Sequence, residues 1–561
     1  MQNNTGQTMV QANDLTDVIV PQNEEPVQYL GKRNCFSWSS QPVNAVNSRY
    51  GRNIVKIRIS KPLGPALALG EKPSPEQIWR LFFTDDMVDE IVIRTNCKLD
   101  SVREELGNKE DPSYKKTNKD EISALFGLLI LSSIFKSSRE SLTSLFSTGI
   151  TGRPIFRAIM SEKRCHVLIR ALRFDDASTR QTRREDDPAA AISNLFNCFV
   201  SNCKKNYEIG ACACIDETLI PFRGRCPFKM YMPKKPSKYG IKMMCLTDAH
   251  NSYLHNAYLY VGKDSDGATL TAAEKKLKKP TQAVVRLSKE LVGTNRNITC
   301  DNWFMSLEVA DFLWQKNLTI VGTLKGNKPQ IPKEFLPSKD RPVGSSIYGY
   351  TKECTLLSYV PKKSKSVILL STMHHVDYTD AMTGKPEIIT FYNATKSGVD
   401  TLDMKCSNYS ANRRTRRWPL AIFYHLLAVS CSNGYVLYEH FEKADKMSRF
   451  DFMKVLGLSM TKNHLRQRLN VPNHPDSLKK LMMEVLNEND TTQRTPNRRT
   501  RTPAEGPARR EIGSDKLEKR KNCRYCPYQK NRMTSYKCIK CETPTCLECS
   551  KKLCNVCVAD L

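Results

Sequence analysis

The chain has 561 residues, 40% of them apolar, with 87 Lys and Arg against 58 Asp and Glu. That length is too great for one compact core, and the apolar content excludes a wholly disordered chain. The formal net charge of +29 indicates a polyanionic partner, either nucleic acid or an anionic membrane surface.

The apolar stretches disfavour the membrane. The longest strongly apolar run, residues 125–135 (LFGLLILSSIF), is about half of the roughly 20 residues that a spanning helix needs. The first twenty residues lack the basic start and the apolar block of a secretory signal. We therefore expect an intracellular protein that binds nucleic acid and no membrane.

The first half of the chain predicts three regions. Residues 1–73 are acidic and then basic, with few large apolar groups, which predicts disorder; the basic part fits either an extended arm or a solvated linker. Residues 74–210 carry apolar side chains three and four apart, which predicts helices. Residues 211–326 change to short apolar runs between turn residues, which predicts strands with interspersed helices.

The second half predicts a return to helices. Residues 327–388 are rich in proline and read as an insertion with one strand pair, after which 389–407 return to the strand-containing core. Residues 408–490 are helical, and 491–520 form a basic linker without periodicity. Residues 521–561 hold a cysteine cluster, so the predicted fold class is multidomain α+β.

Four aspartates fall at the predicted element ends. Asp216 follows an apolar run, Asp301 follows the strand at 297–300, and Asp400 and Asp403 are three apart on one helix (GVDTLD). Carboxylates at two strand ends and on a packing helix suit two divalent cations, Mg²⁺ or Mn²⁺, for phosphoryl transfer on DNA. The alternatives are that Asp301 and Asp400 cap helices, and that Asp216 pairs with Arg223 or Arg225.

Longer motifs resemble the piggyBac family of DNA transposases from about residue 75 to the C-terminus. They are IDETLIPFRGR (215–225), CPFKMYMPKKPSKYGIKM (226–243), NITCDNWF (297–304), LTIVGTLKGNK (318–328), TKSGVDTLDMKCS (395–407) and NRRTRRWPLAIFY (412–424). The resemblance implies an RNase H-like catalytic core split by the insertion domain. It also implies that 74–210 and 408–490 together form one dimerisation and DNA-binding domain.

The same resemblance implies the chemistry. Asp216, Asp301 and Asp400 match the catalytic, metal-binding aspartates of the family, and Asp403 matches a further family aspartate. The implied reaction nicks each transposon end, forms a hairpin by attack of the freed 3′ hydroxyl, reopens it and joins the element to TTAA targets. We expect a homodimer or larger assembly working in the nucleus.

Two basic groups are predicted to contact DNA. The first is a run of four arginines before a tryptophan, whose guanidinium groups suit backbone phosphates and whose indole suits an unpaired base. The second is the loop after the first aspartate. Their members are Arg413, Arg414, Arg416, Arg417 and Trp418, and Arg223, Arg225, Lys234, Lys235 and Lys238. Solvated basic faces are the alternative for both.

Eight cysteines in four C-x-x-C units end the chain, in a segment too short to fold on an apolar core alone. Two structural Zn²⁺ sites would stabilise it. Cross-braced pairing, as in RING and PHD modules, joins the first unit with the third and the second with the fourth, whereas sequential pairing stays an alternative. The cross-braced sets are Cys523, Cys526, Cys546 and Cys549, and Cys538, Cys541, Cys554 and Cys557.

Other functions fit parts of this sequence. A domesticated derivative could bind DNA or chromatin without catalysis, and the cysteine tail alone would suit a RING-type ubiquitin ligase or a histone-tail reader. Retention of Asp216, Asp301 and Asp400 favours an active transposase, because carboxylates buried in a core cost stability and have no use in a pure binder.

Overall fold

The structure, a computed structural model, describes residues 25–42, 59–107, 111–441 and 444–492, and in the tail 516–524, 526, 533–537, 543–546 and 549. It divides into two compact units, Met1–Thr495 and Pro496–Leu561.

The strands of the first unit are β1 (Gln28–Leu30), β2 (Ser37–Ser39), β3 (Lys61–Pro62), β4 (Tyr207–Glu208), β5 (Cys212–Pro221), β6 (Lys229–Tyr231), β7 (Tyr239–Asp248), β8 (Leu254–Leu259), β9 (Asn297–Cys300), β10 (Thr319–Thr323), β11 (Ser346–Tyr350), β12 (Thr355–Lys362), β13 (Lys365–Ser371), β14 (Thr379–Asp380) and β15 (Lys385–Pro386). The second unit contributes β16 (Lys516–Asn522) and β17 (Met533–Tyr536).

The helices are α1 (Pro75–Arg80), α2 (Asp85–Glu105), α3 (Lys119–Ile134), α4 (Leu142–Leu145), α5 (Pro154–Ile159), α6 (Glu162–Ala171), α7 (Arg180–Asp186), α8 (Ser193–Asn206), α9 (Lys279–Ser288), α10 (Leu307–Gln315), α11 (Glu387–Thr395), α12 (Gly398–Asn408), α13 (Trp418–Tyr438), α14 (Arg449–Ser459), α15 (Lys462–Leu469) and α16 (Asp476–Thr492).

One sheet joins eleven of the described strands. Its order is β1-β2-β11-β12-β13-β10-β9-β5-β7-β6, and β8 pairs with β7. Strand β9 runs parallel to both β5 and β10, whereas β7 is antiparallel to β5. Strands β7 and β9 are buried almost throughout, as expected for central strands covered on both faces.

The two helical segments share one core. The indole of Trp79 in α1 donates to the hydroxyl of Ser430 in α13, at 2.8 Å. Phe423 of α13 contacts Phe83, Phe126 and Phe174, with ring centroids 4.9 to 6.1 Å apart. Residues from before β5 and after α12 therefore pack as one helical body.

Helix α13 is the one helix of the described residues that is long and apolar enough to cross a membrane. The protein itself buries 94% of its apolar window. Because nearly all of its side chains are buried between other helices and strand β5, α13 is the central helix of the helical body.

The prediction of disorder for residues 1–73 is wrong for 25–42 and for 59–73, where β3 pairs with β4. Strands β1 and β2 form a hairpin, and Ser39 pairs with Tyr350 of β11. The side chain of Trp38 is buried, and its indole donates to the carbonyl of Gln330 at 2.8 Å. A few aromatic side chains thus anchor a stretch whose average composition is polar. Residues 1–24 and 43–58 lie outside the described residues.

The insertion at 327–388 extends the central sheet. The predicted strand pair is present as β12 and β13, with β11 as a third strand. Strand β13 also pairs with β10 of the core, so backbone hydrogen bonds continue from the core strands into the insertion.

The prediction of a linker at 491–520 is wrong at both ends. Helix α16 continues to Thr492, and Lys516 already begins strand β16, which pairs with β17. A highly charged strand forms here because backbone hydrogen bonds to a neighbouring strand do not depend on apolar side chains.

Candidate active site and nucleic-acid interface

The register of two parallel strands places Asp216 beside Asp301. The last paired residues of β5 and β9 are Ile215 and Cys300. Each aspartate comes directly after its member of this pair, and both side chains are half-buried. Two carboxylates far apart in sequence therefore meet at one edge of the β5–β9 pair.

Helix α12 brings two more carboxylates to β5. Its first residue is Gly398, and a Cβ atom there would collide with Thr247 and lie 2.9 Å from the Cβ atom of Cys214. Only a residue without a side chain permits this approach. Asp400 and Asp403 lie on the following turns of the helix, the first exposed and the second half-buried.

Asp403 is held directly by the strand. Thr218 lies two residues after Asp216 on β5, so both side chains point to the same face. The hydroxyl of Thr218 donates to the carboxylate of Asp403. Burial raises the pKa of Asp403 to about 6, and the charge of Asp400 adds to that rise.

Backbone amides orient the other two carboxylates. The N–H of Glu217 donates to Asp216 at 2.7 Å, and the N–H of Trp303 donates to Asp301 at 2.8 Å. Burial, followed by the charge of Glu217, raises the pKa of Asp216 to about 7. The site thus concentrates more negative charge than its own surroundings stabilise, which favours binding of a cation.

Lys235 lies at this acidic site. Its Nζ atom donates to the carbonyl of Glu217 at 2.8 Å and lies 3.9 Å from the Glu217 carboxylate. Burial lowers its pKa, but the charges of Asp216, Glu217, Asp403 and Asp400 outweigh burial and raise it. One ammonium group of the predicted basic loop therefore faces the carboxylates.

The alternative roles of these aspartates are wrong. The N-cap of α10 is Ser306, whose hydroxyl accepts from the N–H of Val309, and Asp301 lies in the preceding turn. Asp400 is inside α12, after its N-cap Ser397. Among the ion pairs of the described residues, none joins Asp216 to an arginine.

The chain resembles known proteins over most of its length. A family model described as Transposase IS4 matches residues 74–435. The chain is also similar to the protein in a cryo-EM structure of a piggyBac transposase synaptic complex with hairpin DNA. The two are 35% identical over 89% of this chain and 99% of that one, with a TM-score of 0.71. The chain belongs to the piggyBac transposase family. Such membership implies an enzyme that cleaves and transfers DNA.

A large basic cleft of this transposase contains half of the predicted DNA-binding residues. The cleft has a volume of about 1710 Å³ and lies between the helical body and the loop after β5. Its predicted members are Arg223, Arg225, Arg413, Arg414 and Arg416, and its further basic members are Arg139, His166, Arg170 and Lys229. Its positive charge suits a nucleic-acid backbone.

Within the arginine run, two members hold the helical body together. Arg413 donates to the carbonyls of Ser137 and Glu140, at 3.0 and 2.7 Å. Arg417 donates to the carbonyl of Arg170, at 2.9 Å, where α6 ends. These guanidinium groups donate hydrogen bonds to carbonyls at the ends of neighbouring chain segments. The run of four arginines in the sequence did not indicate this structural role.

The other predicted contacts differ in exposure. Arg414 and Arg416 are exposed in the same run, as are Lys234 and Lys238 on either side of Lys235. The ring of Trp418 packs edge-on against Phe228, with centroids 5.0 Å apart. The indole of Trp418 therefore already has an aromatic partner within the protein.

In the second unit, the structure brings four thiols together. The Sγ atoms of Cys523, Cys526, Cys546 and Cys549 all lie within 4.8 Å of one another, so this set could bind a zinc ion. It groups the first C-x-x-C unit with the third, as cross-braced pairing requires. Cys538, Cys541, Cys554 and Cys557 lie outside the described residues.

Several residues of the aspartate site were missed by sequence reasoning. Glu217 and Thr218 directly follow Asp216 in the IDETL motif, and Lys242 of β7 lies 3.8 Å from the Glu217 carboxylate. Lys242 also lies 4.8 Å from the ring centre of Trp303. Adjacency to Asp216 was the available signal for the first two, whereas Lys242 required the β5–β7 register.

Proposed function

We propose that this transposase is a cut-and-paste enzyme that nicks transposon ends, excises the element through hairpin intermediates and integrates it at TTAA targets. Asp216, Asp301 and Asp400 are its proposed DDD-type catalytic residues, with Asp403 beside them. The observation that carries the proposal is the parallel register that sets Asp216 next to Asp301, with the helix of Asp400 packed on the same strand.

The architecture supports this proposal. We assign strands β8, β7, β5, β9 and β10, which are adjacent in that order, to the RNase H-like core. The helical body that continues past this core supplies the arginines of the cleft, which suits a domain for DNA binding and dimerisation. A nuclear homodimer would hold the two transposon ends together.

The residues present fit two divalent cations, Mg²⁺ or Mn²⁺. Carboxylate oxygens are the hard ligands that these ions prefer, and one oxygen of Asp216 and of Asp301 already accepts a backbone amide. In the described part of the chain, no three of these aspartates bring their carboxylate oxygens within 4.8 Å of one another. Ligands of two ions about 4 Å apart need not all lie so close to one another.

When bound, two such ions supply an activated oxygen nucleophile and stabilise the leaving oxygen. Other residues of the chain hold the carboxylate ligands in position. Thr218 fixes the rotamer of Asp403, and the amide of Trp303 fixes Asp301. Exposed Arg223, Arg225 and Arg414 would hold the DNA backbone in the cleft.

An excision assay tests the proposed catalysis. It uses the full chain, a plasmid carrying the native terminal repeats, and the variant Asp301→Asn. Asp311→Asn on α10 is the matched control, because Asp311 is an exposed aspartate on the adjacent helix. We expect the native chain and the control to excise, and Asp301→Asn to bind the repeats without excision.

Two results would contradict the proposal. Equal excision by Asp301→Asn and the native chain would remove Asp301 from catalysis. A native chain that binds its terminal repeats but never cleaves them would instead indicate the domesticated DNA-binding protein.

A further inference from the structure

A second cavity, of about 380 Å³, lies next to the basic cleft and shares Arg416 with it. It is formed where the α6–α7 connection meets the start of α13. Its basic and acidic lining residues are Arg173, Asp175, Arg180, Arg184, Arg416 and Arg417. We call it the arginine pocket. Five arginines and one aspartate thus line the pocket.

The single carboxylate is already neutralised. Asp175 is buried, and its oxygens accept from Arg180 at 2.6 Å and from Arg183 at 2.7 Å. Its negative charge is therefore not available to the remaining arginines. The pocket keeps an excess of positive charge beside the apolar side chains of Phe174 and Trp418.

The arginines of the pocket floor act on backbone carbonyls. Arg173 donates to the carbonyls of Arg170 and Leu172, at 3.0 and 2.9 Å, and Arg417 also caps this end of α6. Burial, and then repulsion by Arg173 and Arg180, lowers the pKa of Arg417 to about 10. These charges are fixed in place and repel one another, so an anion between them would stabilise the pocket.

Two arginines at the rim are available for a ligand. Arg184 of α7 and Arg416 are both exposed. Among the hydrogen bonds and ion pairs between described residues, none involves their guanidinium groups. A planar fork of donors at an apolar wall matches the geometry and charge of a phosphodiester.

We propose that the arginine pocket binds a backbone phosphate of duplex DNA, and so continues the DNA path of the cleft beyond Arg416. This inference rests on the proposed function, because the cleft is its starting point. DNA is favoured over a free nucleotide because Arg416 lines both cavities, so that one continuous backbone would contact both.

The test measures binding of terminal-repeat DNA over a range of salt concentrations for Arg184→Gln and Arg466→Gln. Arg466 is the matched control, since it is an exposed arginine on α15 and lines neither cavity. Both variants lose the same net charge. We expect Arg184→Gln to reduce the slope of log affinity against log salt by about 0.9, the value for one phosphate. Arg184→Lys should restore most of it.

Equal salt slopes for Arg184→Gln and Arg466→Gln would overturn the proposal. The result is independent of catalysis, because Asp301→Asn should keep the native slope whether or not it excises. The salt slope therefore tests the arginine pocket, and the excision assay separately tests the catalytic assignment.

Discussion

A Cβ atom on Gly398 would lie only 2.9 Å from the Cβ atom of Cys214. Helix α12 therefore contacts β5 through its own backbone, and Asp400 and Asp403 depend on that contact for their position. We expect Gly398→Ala to push the helix outward and to abolish excision. The measurement is the plasmid assay, run together with a DNA-binding assay that should change little.

Gly434→Ala is the matched control for this change. Gly434 is also helical, but its nearest neighbour would lie 3.4 Å from an added Cβ, which is ordinary contact. That variant should excise normally. If Gly398→Ala excises as well as Gly434→Ala, the close approach of α12 is not required.

At high pH and in the presence of a metal chelator, the Asp216→Asn variant should be more stable than the native chain. Burial raises the pKa of Asp216 to about 7, above the value of about 4 in an unfolded chain. Between pH 4 and pH 7 the folded state keeps a proton that the unfolded state has lost. The contribution of this group to the free energy of unfolding is therefore greatest below pH 4 and falls as the pH rises to 7. Each pKa unit corresponds to about 1.4 kcal/mol, which limits the gain to about 4 kcal/mol.

Thermal unfolding of Asp216→Asn at pH 4 and pH 8 measures this difference. The variant should unfold at a higher temperature than the native chain at pH 8 and at a similar temperature at pH 4. Asp311→Asn should show no such pH dependence. A destabilised Asp216→Asn at pH 8 would contradict the electrostatic strain described at this site.

Glu121 and Arg164 form a buried ion pair between α3 and α6, with 2.6 Å between nitrogen and oxygen and side chains 7% and 6% exposed. Glu121→Gln leaves the Arg164 charge without its partner, which costs about 3–5 kcal/mol of unfolding free energy. Chemical denaturation measures the loss. Asp111→Asn breaks the exposed pair with Lys163 and should change the midpoint little.

The same pair predicts a loss of stability in acid. Burial raises the pKa of Glu121, but the hydrogen bonds and charge of Arg164 outweigh it and lower the pKa overall. Its contribution is therefore full above the unfolded pKa and is lost as pH falls through the folded one. Equal acid sensitivity of the native chain and Glu121→Gln would contradict this assignment.

Cys546→Ser should reduce the zinc content of the purified chain. Its thiol is one of four that lie within 4.8 Å, and its backbone N–H donates to the Cys523 sulfur at 3.2 Å. A three-thiol set binds zinc more weakly than a four-thiol set. Elemental analysis measures the loss, and Cys97→Ser, an exposed cysteine of α2, should leave zinc unchanged.

The sequence alone could predict the strands at 212–215 and 297–300 from their short apolar runs. It places Asp216 at the end of its strand, whereas β5 continues past Asp216 to Pro221. It could not predict the partner of each side chain. Lys235 belongs to a basic loop in sequence, yet its ammonium group faces the carboxylates. Arg413 and Arg417 read as DNA contacts, yet they cap carbonyls of segments about 250 to 275 residues away. Such contacts depend on tertiary packing, which local patterns do not encode.

The pairing of β2 with β11 also has a consequence for synthesis. Ser39 leaves the ribosome more than 300 residues before Tyr350, its partner. At about 5–20 residues per second, the β1–β2 hairpin is synthesised roughly 15–60 s before the strand β11 with which it pairs. During that interval its aromatic side chains are open to chaperones, and a premature stop before β11 would leave them without a native partner.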